Sequence, residues 1–232
     1  MHLHRFHGGL ELPGHKAEST GRPLLPLGIP HLLHVPLAQH IGAPAVPLCA
    51  PGERVLKGQR IAQAEDYIGA HVHAPTSGRV VEIAEHPIPH PSGLSAPCIV
   101  LESDGHDQWT DQGLEPWTDW RQRGARELRE RVRDAGIVGM GGAAFPTAVK
   151  LNPRPGKRIH TLVVNGAECE PYITCDDTLM RQYPEAVLEG VRIVAHLLNA
   201  ERVLFAVEDN KPAAFQALAA ALPEDEREFI QL

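Results

Sequence analysis

Six prolines between residues 23 and 47 limit the possible folds of this chain more than any other sequence feature. A proline ring fixes the φ angle and removes the backbone N–H, so proline fits neither a helix interior nor the middle of a sheet. Residues 1–50 are therefore predicted to form an extended, proline-rich arm that packs on the domain after it.

From residue 51 onward, short apolar runs alternate with turn-forming residues. Runs of strand length occur at residues 54–56, 60–62, 70–73, 78–83 and 98–101. Pairs such as Pro51-Gly52 separate these runs and indicate tight turns. Residues 51–105 are therefore predicted to be a small all-β domain, and the polar residues 106–120 a linker.

The second half of the chain alternates between helix and strand patterns. Helices are predicted at residues 121–135, 176–198 and 211–222, and strands at 162–164 and 203–207. This alternation is typical of a parallel sheet covered by helices. Two strands make a small sheet, and no further strand is predicted before the last residue. Residues 121–232 are therefore predicted to be an α/β domain truncated on its C-terminal side.

Three glycines, Gly139, Gly141 and Gly142, lie just before a short predicted helix that contains Lys150. Glycine lets backbone N–H groups approach an anion closely, and the lysine is near enough in sequence to reach a phosphate. The pattern predicts a phosphate site, with a plain tight turn as the alternative. A charged helix precedes the glycines where a dinucleotide-binding loop would follow a strand, which argues against an ordinary loop of that kind.

Asn165, Glu168 and Glu170 follow the predicted strand at 162–164. Open parallel sheets bind ligands at the carboxyl ends of their strands, so this position favours a binding role. Solvated loop acids are the alternative. Cys169 lies between the two glutamates, and their negative charge disfavours a thiolate, which argues against a nucleophile.

Composition and spacing exclude several classes of function. The net charge of -7 argues against a nucleic-acid surface. No apolar stretch reaches the length of a membrane span, about 20 residues. The four cysteines include no C-x-x-C pair, and His71 and His73 have no acidic or cysteine ligand beside them, so no metal site is predicted. The first residues lack the apolar segment of a secretory signal, which predicts a cytoplasmic protein.

The β region resembles the barrel-sandwich hybrid fold of biotinyl and lipoyl carriers. The resemblance rests on residues 52–62 and on the His-Ala-Pro-Thr-Ser-Gly run at 73–78. Those carriers present a modified lysine at a hairpin tip. The predicted tip at 74–78 has no lysine, and Lys57 falls in an earlier turn. A structural module is therefore favoured, with a carrier as the alternative.

Five segments match one family together. They are residues 36–45, 73–78, 139–147, 165–173 and 208–212. They resemble the N-terminal part of the C subunit of the Rnf/Rsx ion-translocating electron transport complex, and the later segments also resemble the flavin subunit of respiratory complex I. The resemblance implies a two-domain α+β fold, in which a biotinyl/lipoyl-like barrel-sandwich hybrid domain precedes an incomplete α/β, Rossmann-like flavin-binding domain.

The same resemblance implies non-covalent FMN as cofactor and NADH as substrate. The glycines would cradle the FMN phosphate, the lysine would lie near the flavin, the asparagine would bind the flavin or its ribityl chain, and the glutamates would line the nicotinamide side. The implied residues are Gly139, Gly141, Gly142, Lys150, Asn165, Glu168 and Glu170. No catalytic residue is predicted, because hydride transfer belongs to the cofactors.

Two positions depart from the related sequences. Ala144 stands where the family usually has glycine, which matters if the backbone there has a positive φ. Ala167 stands where the complex I subunit has an aspartate. The segment that completes the family's nucleotide site and its 4Fe-4S cluster motifs are expected beyond Leu232. The chain is therefore interpreted as a fragment, or a truncated form, of such a subunit that is inactive alone.

The implied function is that of an NADH-oxidising, FMN-binding subunit that passes electrons to iron–sulfur clusters in a membrane-associated complex. Its partners would be the other subunits of that complex and NADH, with no nucleic acid and no transmembrane segment of its own. Its expected location is the cytoplasmic face of the inner membrane, as a peripheral protein. The alternative is a non-catalytic docking module of such a complex, with no ligand bound by this chain.

Overall fold

The computed structural model describes residues 8, 12–21, 24–113, 115–140, 142–154 and 156–232. It divides into two compact units. The barrel unit comprises Pro26–Pro153, and the α/β unit combines Arg154–Leu232 with the described residues of Met1–Leu25. The α/β unit includes the first helix of the chain, α1 (Lys16–Thr20).

The barrel unit contains two antiparallel sheets. Its strands are β1 (Leu32–Pro36), β2 (Val46–Pro47), β3 (Arg54–Val55), β4 (Arg60–Gln63), β5 (Val72–His73), β6 (Gly78–Pro87) and β7 (Ser95–Ser103). One sheet has the strand order β1-β7-β6-β3 and the other β2-β4-β5. The five predicted strands correspond to β3 through β7. The strands β1 and β2 come from the proline-rich arm, where the prolines flank or end them.

The two sheets share one apolar core. Inward and outward residues alternate along the strands, as in β6, where Val80 is buried between the exposed Arg79 and Val81. The buried core residues are Val35, Leu37, Ala45, Val55, Ile61, Ala62, Val72, Ala74, Val80, Ile99 and Leu101. Because this set draws on both sheets, burial of their apolar surface holds the barrel together.

Helices α2 (Ala125–Asp134) and α3 (Thr147–Lys150) also belong to the barrel unit. Gly136 follows α2 with a φ of 66°, a left-handed conformation that suits a glycine after a helix. A Cβ at Gly136 would lie 2.6 Å from the His71 carbonyl oxygen, so the end of α2 packs closely on β5. Arg60 and Asp134 form an ion pair at the same place, with Nη2 and Oδ1 3.0 Å apart.

The unit boundaries differ from the predicted domain boundaries. Residues 121–153 lie with the barrel, whereas the prediction assigned them to the α/β domain. The predicted arm is also divided, because residues 26–50 join the barrel and α1 joins the α/β unit. Contacts between residues that are far apart in sequence define these compact units, and the predicted domain boundaries stay predictions.

The α/β unit contains one parallel sheet with helices between its strands. Its further elements are β8 (Thr161–Asn165), α4 (Cys175–Gln182), α5 (Pro184–Leu198), β9 (Arg202–Ala206), α6 (Pro212–Ala221) and β10 (Ile230–Gln231). The strand order is β10-β9-β8, and both pairings are parallel. The strand β10 corrects the prediction of only two strands. It is two residues long, too short for its sequence to show a strand pattern.

The predicted helix at 176–198 is two helices. The helix α4 ends at Gln182, and α5 begins with Pro184. Proline cannot donate to the preceding turn and its ring clashes there, but it fits the first turn of a new helix. None of the helices in the described ranges is both long and apolar enough to span a bilayer.

The α/β unit has an apolar core of its own. Its buried residues are Met180, Leu188, Val191, Ala195, Val203, Phe205, Ala214, Leu218, Leu222 and Ile230. These residues come from the sheet and from all three of the longer helices, so the sheet face and the helices α4, α5 and α6 bury one another. The loop after β8 begins at the edge of this core.

Candidate functional site

The glycine loop, residues 137–147 of the barrel unit, is closed by backbone hydrogen bonds at its base. The Gly139 N–H donates to the Phe145 carbonyl oxygen at 2.8 Å. The Thr147 N–H donates to the Ile137 carbonyl oxygen at 3.0 Å. These two bonds fix the base of the loop, and its tip includes the exposed Met140 and Gly142.

The tip of the glycine loop contains left-handed backbone. Gly142 has a φ of 81°, and a Cβ there would meet no atom within 4 Å. Ala144 has a φ of 46°, a conformation that costs an L-residue free energy and that glycine adopts readily. The departure from the family at Ala144 thus falls where glycine would be favoured. Gly141 lies outside the described residues.

The Lys150 ammonium lies against Gly139. A Cβ on Gly139 would lie only 2.6 Å from Lys150 Nζ, so the absence of a side chain makes room for the lysine. Lys150 is exposed, and none of the described residues forms an ion pair with it. A cation beside glycine backbone favours a phosphate group, so these residues fit the predicted phosphate site.

The carboxylate loop, residues 165–174 of the α/β unit, starts at the end of β8. The exposed Asn165 accepts a hydrogen bond from the Ala167 N–H through Oδ1 at 3.0 Å, a turn typical of asparagine. A Cβ on Gly166 would lie 2.9 Å from Met180 Sδ and 3.0 Å from the Ala206 carbonyl oxygen. Gly166 therefore allows the loop to leave the sheet in close contact with α4 and β9.

Glu168 points into the α/β unit. Its side chain is only 3% exposed, and Oε1 accepts a hydrogen bond from the Asp176 N–H at 2.7 Å. Oε2 accepts from the Asp177 N–H at 3.3 Å and lies 2.9 Å from Lys211 Nζ. The carboxylate thus satisfies backbone donors in the first turn of α4, where negative charge is favourable.

Lys211 joins two carboxylates in this interior. Its side chain is 2% exposed, and Nζ lies 2.7 Å from Glu208 Oε2 as well as 2.9 Å from Glu168 Oε2. The Glu208 carboxylate also accepts a hydrogen bond from the Glu168 N–H at 3.0 Å. The three side chains form a compact network that ties the carboxylate loop to the start of α6.

The pKa values in this network reflect the pairing. Burial alone would raise the pKa of Glu168, but hydrogen bonds from Lys211 and from the Asp176 N–H outweigh it and hold that pKa below its ordinary value. Burial would likewise raise the pKa of Glu208, but hydrogen bonds from Lys211 and from the Glu168 N–H outweigh it and lower that pKa. Burial would lower the pKa of Lys211, but its bonds to both glutamates raise it. All three groups are therefore charged at neutral pH.

The predicted site residues fall into two groups. The structure brings Gly139 and Lys150 together in the barrel unit, and it places Asn165, Glu168 and Glu170 in the α/β unit. Within the second group only Glu168 is buried, whereas Asn165 and Glu170 are exposed. The Glu168 carboxylate is bound by backbone N–H groups and by Lys211, whereas the Glu170 side chain is exposed, and the predicted roles of both glutamates stay predictions.

Sequence reasoning missed Lys211 as a site residue. It lies in the Glu-Asp-Asn-Lys-Pro segment at 208–212, which contributed only to the resemblance. The available signal was that the chain has just five lysines and that this one starts a helix after a strand. The spacing of Glu208 and Lys211 could also have indicated an i,i+3 pair.

Glu168, Cys175 and Asp176 form a cluster whose potential ligand atoms lie within 4.8 Å of one another. Both Glu168 oxygens are already engaged by backbone N–H groups and Lys211. Burial and the neighbouring Glu168 raise the pKa of the Cys175 thiol, which disfavours the thiolate that a metal requires. We therefore assign no metal to this cluster.

His71 and Lys57 of the barrel unit have structural partners. His71 Nδ1 accepts a hydrogen bond from the Ala64 N–H at 3.1 Å, and burial lowers the pKa of His71. Lys57 Nζ lies 2.6 Å from Asp107 Oδ2, and its side chain is partly buried. A lysine held in this way does not present its ammonium for attachment of biotin or lipoate, which disfavours the carrier alternative.

The Pro-Thr-Ser turn of the barrel is also structural. Ser77 Oγ donates to Asp104 Oδ1 at 2.6 Å, and Thr76 Oγ1 donates to Asp107 Oδ1 at 2.9 Å. Hydrogen bonds from Ser77 and the His106 N–H lower the pKa of Asp104 to about 2. These bonds fasten the turn to the loop after β7.

Comparisons with known proteins identify the families of the two halves of the chain. Residues 4–106 match the family described as the RnfC barrel sandwich hybrid domain, and residues 132–231 match the Nuo51 FMN-binding domain. The protein thus joins a barrel sandwich hybrid domain to an FMN-binding domain, which confirms the fold class at this level.

The relatives identify the family more narrowly. The chain is 54% identical over 96% of its length to the C subunit of the ion-translocating oxidoreductase complex of Pseudomonas aeruginosa, of which it covers 28%. It is 43% identical over 94% of its length to the protein of the same name from Salmonella gallinarum, of which it covers 32%. The chain belongs to the family of Rnf-type C subunits and spans about a third of the length of these relatives.

Among solved structures, a chain of an NAD+-reducing NiFe hydrogenase in the H2-reduced state is 28% identical to this chain. The match covers 44% of this chain and 18% of that one, with a TM-score of 0.40. A likeness at that TM-score carries no argument about the fold.

Proposed function

We propose that this chain is the FMN-binding, NADH-oxidising part of its subunit and passes electrons to iron–sulfur clusters outside it. The observation that carries the proposal is the position of the exposed Lys150 ammonium against the backbone of Gly139, where a Cβ would lie only 2.6 Å from Lys150 Nζ. This cationic cradle lies within the segment that matches the FMN-binding family. A phosphate monoester is the ligand group that such a cradle favours.

The glycine loop is assigned the FMN phosphate. In this proposal the backbone at Gly139, Gly141 and Gly142 approaches the phosphate, and Lys150 supplies a positive charge. Bound FMN would supply the hydride acceptor that converts two-electron donation into single-electron transfer. The residues of this chain bind and orient the cofactor, and none of them is assigned a proton-transfer step.

The exposed face of the carboxylate loop is assigned the nicotinamide nucleotide. Asn165 presents an amide, and Glu170 presents a carboxylate that accepts hydrogen bonds from ribose hydroxyls or from an amide. Glu168 is reassigned from this face to the interior, where it holds the loop on α4. The alternation of parallel strands and helices supports the assignment of this unit as Rossmann-like.

The proposed setting is a membrane-associated electron transport complex. The partners are its other subunits, and the proposed location is the cytoplasmic face of the inner membrane. The relatives named as subunits of ion-translocating complexes support this setting. The acidic net charge of -7 supports the absence of a nucleic-acid partner.

Flavin binding tests the proposal directly. FMN fluorescence quenching is titrated with this chain and with the full-length subunit. Gly139→Ala, which puts a Cβ into the space of Lys150 Nζ, should weaken binding, whereas Gly124→Ala, which meets no atom within 4 Å, should not. Binding by the full-length subunit alone would favour the docking alternative for this chain. Failure of both proteins to bind FMN would overturn the proposal.

A further inference from the structure

A second lysine holds the carboxylate loop from a distant part of the sequence. Lys16 Nζ donates to the carbonyl oxygens of Glu168 at 2.6 Å, Glu170 at 2.8 Å and Ile173 at 2.8 Å. An ammonium group has three N–H donors, so these three carbonyls satisfy it completely. Three backbone groups of one loop thus converge on a single side chain of α1.

Neighbours of Lys16 bind the same loop. The Tyr172 N–H donates to the Gly14 carbonyl oxygen at 2.9 Å, and the rings of His15 and Tyr172 stack with centroids 4.7 Å apart. We call residues 14–19 the N-terminal clip. At its far end, Thr174 Oγ1 donates to Ser19 Oγ at 3.1 Å.

The clip holds a strained residue. Tyr172 has a φ of 67°, a left-handed conformation that is unfavourable for a bulky side chain. Such conformations persist where the surroundings fix them, and they concentrate at functional sites. Here the clip binds both the N–H and the ring of Tyr172. The shape of the carboxylate loop therefore depends on contacts that the loop itself does not contain.

Lys16 also sets the direction of backbone donors. In a trans peptide the carbonyl and the following N–H point in opposite directions. Because Lys16 binds the Glu168 carbonyl oxygen, the N–H of Cys169 is directed away from the clip. The same contact on Glu170 fixes the backbone that carries the exposed carboxylate assigned to the nucleotide.

We propose that Lys16 is a positioning residue of the nucleotide site, through which the N-terminal clip holds the carboxylate loop in its binding conformation. The inference rests on the proposed function, in which the exposed face of this loop binds the nicotinamide nucleotide. It makes residues 14–19 part of the ligand-binding module, although they precede the barrel unit in sequence. The targets of Lys16 are backbone carbonyls, so it acts on the loop and does not touch the ligand.

The test uses the full-length subunit purified in its complex, with the variants Lys16→Met, Lys16→Arg and, as a matched control, Lys157→Met. Lys157 is an exposed lysine of the same unit, so its loss removes one charge without touching the loop. NADH-dependent reduction of ferricyanide gives KM and kcat. Hydrogen exchange of a peptide that covers residues 168–175 reports protection of the Tyr172 amide without any ligand.

Lys16→Met should raise the KM for NADH about tenfold or more, since small displacements of binding groups have effects of this size. It should also speed exchange of the Tyr172 amide, while FMN content stays unchanged. Lys16→Arg should change the KM and the exchange rate less than Lys16→Met does, because a guanidinium can still donate to several carbonyls. Lys157→Met should match the wild type.

Three outcomes separate failure of this inference from failure of the proposed function. Wild-type KM and wild-type exchange in Lys16→Met would overturn the positioning role. If exchange rises and KM does not, the clip holds the loop but the loop does not position NADH, which also overturns it. A wild-type complex that contains FMN but does not oxidise NADH would instead refute the proposed substrate.

Discussion

The glycine loop and the carboxylate loop use their charges in opposite ways. Beside the glycine loop, Lys150 is exposed at the end of α3 and lies against Gly139, and the described residues offer it no ion pair. In the carboxylate loop, Glu168 is buried and bound to the buried Lys211 at the start of α6. Lys16 binds the same loop through three carbonyl oxygens.

The two loops thus illustrate two kinds of charged side chain, one that stabilises the fold and one that is free to bind a ligand. A buried charge whose partners lie within the protein contributes to stability, and removing its partner leaves an uncompensated charge. An exposed charge without a partner has little effect on stability and remains free to bind a ligand. Replacing the lysine beside each loop with methionine should therefore have different effects. At the carboxylate loop it should lower the stability of the protein, and at the glycine loop it should weaken ligand binding alone.

The largest effect is expected at Lys211. Lys211→Met should lower the free energy of unfolding by about 3 kcal/mol or more, because it leaves Glu168 and Glu208 without their buried counter-ion. Urea unfolding followed by circular dichroism measures the change, with Lys157→Met as the exposed control. A loss no larger than that of the control would mean that the network is not structural, and the contrast between the loops would disappear.

The pH dependence of that difference should follow the two carboxylates. Their pKa values are held below the ordinary value of 4.5, so their contribution is present above pH 4.5 and is lost as the pH falls through the lower values of the folded state. The raised pKa of Lys211 keeps its contribution intact below its ordinary value of 10.5. The stability difference between the wild type and Lys211→Met should therefore shrink below pH 4.5. Urea midpoints measured from pH 7 to pH 3 check this, and a constant difference would contradict it.

A smaller effect is expected at Lys150, and on binding alone. Lys150→Met should weaken FMN binding about tenfold to a hundredfold, the effect of losing a charge-assisted hydrogen bond to a phosphate. The urea midpoint should stay at the wild-type value. Flavin fluorescence titration of the full-length subunit measures the affinity. Equal loss of affinity in Lys157→Met would show a general charge effect and remove the special role of Lys150.

The smallest effect is expected at the tip of the glycine loop. Ala144→Gly should stabilise the protein by about 0.5 to 1 kcal/mol, because relief of the left-handed strain exceeds the extra chain entropy of glycine. Ala143→Gly is the matched control, since Ala143 has no positive φ and should gain nothing. Thermal unfolding compares the two variants. If both behave alike, the strain at Ala144 plays no part.

Much of the fold could be predicted from local patterns. The five strands β3 to β7 and the helices α2 and α6 correspond to apolar runs and periodicity bounded by glycine and proline. The proline at position 184 could have predicted the break between α4 and α5, although the apolar periodicity continues through it. The two-residue strand β10 could not have been predicted in this way, because its pairing with β9 depends on the folded sheet.

The candidate site could be predicted only as a set of segments. Residue type and position after a strand or before a helix pointed to the glycines, to Lys150 and to the two glutamates. The sequence treats Glu168 and Glu170 alike, since they lie two residues apart in one loop. The structure distinguishes them, because the backbone turns one inward to Lys211 and leaves the other exposed.

By itself the sequence determined the local properties of this protein: where strands and helices form, where glycine permits a left-handed turn, and which family it resembles. These properties depend on neighbours within a few residues. Only the tertiary structure decided which groups are partners, as in the Lys16 ammonium and the Glu168 carbonyl oxygen, which are 152 residues apart in sequence. The physical reason is that a charge is structural or available according to its surroundings, and packing creates those surroundings by bringing distant segments together.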